Sequence, residues 1–146
     1  MDEDAVNFIA NHRVAHLATA TSEGQPSVVP ICYVFDSKNI YSSIDQKPKS
    51  VPAQNLTRLR NIQSNSKISL VVDDYSDDWD KLAYVLVTGT AIVLWPTGDS
   101  SAEHEQAVAM LRNKYEQYRR MPIETTPIVK IHPLKVKMWS YGQRTK

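Results

Sequence analysis

Glycine is scarce in this sequence, four in 146 residues, and neither a Walker-type phosphate loop nor a G-x-G-x-x-G turn is present. Nucleotide folds built on glycine-rich turns are therefore disfavoured. Cysteine occurs once, as Cys32, which excludes an intrachain disulfide and fits a reducing compartment. Charge of one sign is also missing. Lys+Arg 17 against Asp+Glu 16 leaves a net charge of +1, so no chain-wide field attracts nucleic acid or an anionic membrane. An anion site must come from local clustering. No apolar run approaches the length of a membrane span, and the opening MDEDAVNFIANHR is too acidic and too polar for a signal peptide. What is there is ordinary globular composition, 42% hydrophobic and 23% charged. The expectation is one domain over residues 1–146, located in the cytoplasm.

The pattern of the chain is mostly that of strands. Asp4 to about Asn11 reads as a short helix capped by Asp2 or Asp4. VAHLATAT, SVVPICYVF and NIYSSID follow as three β runs, joined by Ser22-Glu23-Gly24-Gln25 and Asp36-Ser37-Lys38-Asn39, where Gly or Asn is available for positive φ. Pro52 suits the first position of a helix through AQNLTRLRNIQSN, with Leu56, Leu59 and Ile62 at helical spacing. KISLVVDD reads as a central strand. An acidic loop, DDYSDDWD, then leads to the long run LAYVLVTGTAIVLW, in which Gly89 marks a bulge or bend. Ser100 and Glu103 form a capping-box pattern ahead of AEHEQAVAMLRNKYEQYRR. TPIVKIHP and KVKMWSY read as a closing hairpin. The fold class expected is mainly β with a few helices, its antiparallel strands curling into a small barrel, because closure removes exposed edges.

Chemistry-bearing residues are few. In IYSSIDQKPKS, Lys47 and Lys49 flank Pro48, which stiffens the backbone and preorganises the two ammonium groups. Arg58 and Arg60 follow on the next helix, with guanidinium forks suited to phosphate oxygens. Together these cations read as a phosphate cradle. Pro30, inside SVVPICYVF, removes a ladder donor and marks an edge strand or a bulge whose freed backbone can face a planar ligand. Cys32 reads as a packed side chain without a His partner. The four histidines show no metal-binding pattern and are assigned to structure or solvent, His104 on an amphipathic helix surface. The aspartates of residues 73–80 lack the EF-hand spacing. Trp79 and Trp95 are expected in packing or interfaces; Trp139 and Tyr141 share a face of the last strand, where they line a flat pocket or pack the barrel.

With those fragments in that order, the chain from about Val14 to Tyr141 resembles the pyridoxamine 5'-phosphate oxidase-like split-barrel superfamily of flavin-binding proteins, and within it the small deazaflavin-dependent oxidoreductases. The resemblance rests on VAHLATATSEGQPSVVPICYVFD, IYSSIDQKPKS, LTRLRNIQSNSKISLVVDDYSDDW and VLVTGTAIVL. It implies a homodimer of six-stranded antiparallel split barrels, FMN-binding-like, with a cofactor in the groove between subunits. It further implies that Lys47 and Lys49 hold the cofactor phosphate and that Val29, Pro30, Ile31 and Cys32 approach the ring through backbone. On the same grounds Ser42 and Ser43 face the ring and ribityl chain, Arg58 and Arg60 support the phosphate site, and Trp139 lies near the ring. SVPAQNL is neutral where related sequences carry more basic residues. The extended C-terminal segment with which true pyridoxamine phosphate oxidases grip substrate is not found in the sequence, so a different substrate is expected.

The function expected is hydride transfer between a deazaflavin (coenzyme F420) or FMN and a small organic substrate, with the protein supplying binding, orientation and exclusion of water. That division of labour accounts for the lack of an acid, base or nucleophile in the sequence. A non-catalytic flavin or haem carrier fits the same silence. An RNA-binding barrel is disfavoured by the near-neutral charge and the lack of an aromatic-basic stripe.

Overall fold

The computed structural model describes residues 1–44 and 56–143. Three helices and seven strands follow in the order α1 (Glu3–Asn11), β1 (Ala15–Ala20), β2 (Pro26–Ile31), β3 (Val34–Phe35), β4 (Ile40–Ser43), α2 (Thr57–Ser64), β5 (Lys67–Asp74), β6 (Ala83–Leu94), α3 (Ser101–Lys114) and β7 (Ile128–Ser140). All strand pairs are antiparallel, in the sheet order β2-β1-β5-β6-β7-β4-β3. The two outermost strands, β2 and β3, are separated in the chain only by Cys32 and Tyr33. One short corner therefore joins opposite edges of the sheet, which must curl on itself. The mainly-β expectation holds, with seven strands in place of six: SVVPICYVF does not continue as one strand but breaks at Cys32-Tyr33 to serve both edges. Pro30 sits on an edge strand, where its missing N–H costs no ladder bond to a second neighbour.

Alternation fills the inside of the curled sheet. Ile68, Leu70 and Val72 of β5 and Val85, Val87 and Ala91 of β6 pack in one core cluster with Ile40, Val129 and Ile131. Along β7 the inward parity changes, from odd residues Val129 and Ile131 to even residues Val136 and Met138. The cause is a bulge. The register jumps between Thr88–Lys135 and Gly89–Pro133, leaving Leu134 as the extra residue, 69% exposed. A one-residue slip reverses every later side chain. Gly89 permits this crossing because a Cβ there would lie 2.1 Å from the His132 carbonyl oxygen. The expected closing hairpin is thus one continuous bulged strand: Pro133 falls at the irregularity, where no ladder donor is needed.

Other local expectations were revised by competing bonds. Asp2 is the α1 cap, accepting from the Asp4 amide at 3.0 Å. In the second turn the left-handed residue is Ser37 (φ 76°), not Asn39, because the Asp36 carboxylate accepts from both the Lys38 and Asn39 amides. The capping box does not form. Ser100 Oγ bonds the backbone of Trp95 instead, and Glu103 accepts from Tyr41 Oη (2.7 Å) and Lys130 Nζ (2.7 Å). Tyr41 and Lys130 are cross-strand partners on β4 and β7, so Glu103 fastens α3 to the sheet. Burial alone would raise the Glu103 pKa, but its bonds to Lys130 and Tyr41 hold it below the usual carboxylate value. Beneath α3 a second apolar cluster gathers Leu94, Val108, Leu111, Tyr118 and Ile128. No helix among the described residues is long and apolar enough to cross a membrane.

Candidate functional site

The corner between β2 and β3 is where the sheet would otherwise leave backbone groups unpaired, and side-chain hydroxyls take the place of a neighbouring strand. Ser42 Oγ, from β4, donates to the Cys32 carbonyl at 2.8 Å. Tyr115, just past α3, accepts from the Tyr33 amide (3.0 Å) and lies within donating distance of the Tyr33 (2.8 Å) and Arg13 (2.7 Å) carbonyls. Lys114 Nζ donates to the His12 carbonyl and sits 4.2 Å from the centre of the Tyr33 ring. The Tyr33 hydroxyl donates to the Ile9 carbonyl. Residues from α1, β4 and the end of α3 therefore clamp a stretch of two residues.

That clamp is partly buried and electrically tuned. Burial pushes the Tyr115 hydroxyl up to about 12 and raises that of Tyr33 as well. Burial, with the Arg13 charge beside it, lowers the Lys114 ammonium to about 8. Nothing in the sequence marks this group, since Tyr115 and Lys114 meet their partners across 82 and 102 residues. A lysine and a tyrosine ending an amphipathic helix give no local signal of such contacts.

The sequence-predicted site residues fall in several places. Val29, Pro30 and Ile31 lie on β2, whose outer side has no strand beside it among the described residues. Cys32, partly buried, meets Ser42 directly. Ser43 is as buried as Ser42 but its neighbour is Thr126, 3.3 Å away, since successive residues of β4 face opposite sides. Arg58 and Arg60 belong to α2. Arg60 is exposed and lines a groove of about 420 Å³ with Thr21, Ser22, Thr57, Asn61 and Ser64, at the turn end of the β1–β2 hairpin. Cys32 is at the other end of β2, roughly 20 Å away at strand rise. Trp139 stacks on its cross-strand partner Tyr84, ring centres 5.6 Å apart. Between Val129, paired with Ser42, and Trp139 β7 runs ten residues, roughly 30 Å of strand. The chain does not itself bring Trp139 to Ser42. Lys47 and Lys49 lie outside the described residues. His104 is buried rather than on the helix surface, its Nε2 2.6 Å from the Thr126 carbonyl oxygen. Among the described residues no group of three or more His, Cys, Asp or Glu is arranged to hold a metal ion.

The model of the family described as pyridoxamine 5'-phosphate oxidase matches residues 1–140. The chain belongs to that family. Solved structures agree on the fold. A conserved hypothetical protein of Mycobacterium tuberculosis superposes with a TM-score of 0.73 at 19% identity, over 96% of this chain and 85% of that one. HutZ, the haem storage protein of Vibrio cholerae, gives 0.71 at 14% identity, over 95% and 93%. An FAD-binding protein of Mesorhizobium loti gives 0.71 at 19% identity, over 94% of each chain. No curated protein sequence matches this one.

Proposed function

We propose that this family member binds a flavin-type cofactor, a deazaflavin or FMN, between two copies of the chain, and works as a reductase on a small organic substrate. Membership of the oxidase family over residues 1–140 is the observation that carries the reading. The donor set suits such a group: an edge strand with one side unpaired, interrupted by a proline, offers backbone contacts to a flat heterocycle. Its anionic tail would be held by Lys47 and Lys49, with Arg58 and Arg60 on the following helix in support. Once bound, the ring supplies hydride transfer by its own chemistry. The chain would contribute the β2–β3 corner and the lysine pair.

The distance along β7 favours a dimer. If Trp139 and Ser42 serve the same cofactor, they come from different protomers. Cofactor sites between symmetric subunits are common because neither surface alone is deep enough.

The rival is a carrier without turnover, favoured by the likeness to a haem storage protein. Loading purified protein with FMN, reduced deazaflavin or haem and following each spectrum separates the two. Oxidation of a bound, reduced cofactor by an added acceptor supports the reductase. A cofactor that stays reduced with every acceptor, or tight binding of haem alone, supports the carrier.

A further inference from the structure

Strand β2 forms an edge of the sheet, and its composition invites pairing there. From Pro26 to Phe35 the chain carries no charge and no glycine, and Val, Ile, Tyr and Phe dominate. A longer uncharged run, Leu82 to Gly98, is mostly β6, which has β5 and β7 on either side. β2 has β1 on one side and no strand on the other among the described residues. Its Val28 is 63% exposed. Such a segment is a template for a further strand unless something blocks it. The opposite edge is blunted by length, since β3 is only Val34–Phe35 and Asp36 follows.

The blocking groups follow from the hydrogen-bond phase of the β1–β2 hairpin. The Thr21 amide donates to the Gln25 carbonyl at 3.0 Å. Bonded and non-bonded pairs alternate along an antiparallel ladder. The bonded pairs are therefore Thr19–Ser27, Leu17–Val29 and Ala15–Ile31, and the non-bonded ones are Ala20–Pro26, Ala18–Val28 and His16–Pro30. In a non-bonded pair the backbone N–H and C=O point away from the partner strand. Residues 26, 28 and 30 thus direct their backbone to the free edge, and Pro26 and Pro30 have no N–H to offer there. The edge presents the carbonyls of Pro26, Val28 and Pro30 beside a single donor, the Val28 amide.

We propose that Pro26 and Pro30 close this edge to strand addition, so that neither a second copy of the chain nor an extended peptide continues the sheet through β2. Two carbonyls of any added strand would face a proline ring where they need a donor, and would be left unpaired. With no charged residue on β2, the prolines are the guard that this strand has. Two copies that share a cofactor, as proposed above, must then meet through other surfaces.

The double variant Pro26→Thr/Pro30→Thr supplies the missing donors. Both positions are exposed, and threonine suits a strand without adding a large apolar surface. Wild type and variant, as full chains, are compared by sedimentation at matched, rising concentrations, with amide hydrogen exchange in parallel. The variant is expected to reach about twice the mass of the wild type, whatever assembly the wild type forms. Its amides at positions 26, 28 and 30 should slow severalfold as it associates. Equal masses for the two proteins, or a heavier variant whose edge amides exchange as fast as before, overturns the proposal. So does association that disappears when Val28→Thr is added, since the exposed side chain and not the backbone would then be its cause. If the double variant does not fold, Pro26→Thr and Pro30→Thr are compared singly; each is expected to associate more than the wild type, and association by neither overturns the assignment.

Discussion

Lys114 shows what a single side chain does in this fold. Its ammonium is held between the Tyr33 ring and the His12 carbonyl, and burial with the Arg13 charge brings its pKa to about 8 from 10.5. Between those two values the unfolded chain binds a proton that the native chain does not, so stability rises with pH across the window. Urea midpoints at pH 7.5 and 9.5 should show that rise in the wild type and a smaller one in Lys114→Met. Parallel profiles would mean the ammonium is not desolvated. Ser42 is a second case. Ser42→Ala strands the Cys32 carbonyl and should cost about 1–2 kcal/mol, measured by denaturant unfolding; an unchanged midpoint would show that another donor reaches that oxygen. Residue roles of this sort were the least legible in the sequence. Pro30 could be assigned to an edge because its missing donor is a local property, whereas Tyr115 acquires its role only when β2, α1 and α3 come together.

At the level of elements, periodicity carried further. KISLVVDD and VLVTGTAIV emerged as paired strands because alternation is dictated by the two faces of a barrel wall. Three elements departed from expectation for one physical reason: a non-local partner outbid a local signal. SVVPICYVF is uniformly β-like, yet it splits because the two sheet edges must be joined within it. Glu103 satisfied the capping pattern but went to Lys130 and Tyr41. The two final β runs fused because a bulge absorbs Leu134 and lets Pro133 stay in the strand. Gly89 was legible as an irregularity, and its necessity is now specific. Gly89→Ala drives a methyl group into the His132 carbonyl and should destabilise by roughly 3 kcal/mol. Thermal unfolding of that variant within a degree of the wild type would mean that β7 slides freely past β6.

For the molecule as a whole, the family and a curled antiparallel sheet were legible from the order of fragments, each weak alone. Of the expected site residues that are described, only Cys32 and Ser42 are in direct contact; Val29 to Ile31 precede Cys32 on β2, Trp139 is remote along β7 and Arg60 opens on a groove at the far end of β2. Sequence spacing gives no distance between strands, and it cannot tell a subunit's own wall from its partner's. Sedimentation should give a species of twice the 16.6 kDa chain mass, and a monomer at micromolar concentration would remove the proposed groove. The most direct test titrates FMN and the deazaflavin, by fluorescence quenching, into the wild type and the Lys47→Ala/Lys49→Ala double variant. Micromolar binding of at least one cofactor, weakened about tenfold or more in the variant with the ligand-free melting temperature unchanged, is the result predicted. Failure of both cofactors to bind the wild type at micromolar concentration would contradict it.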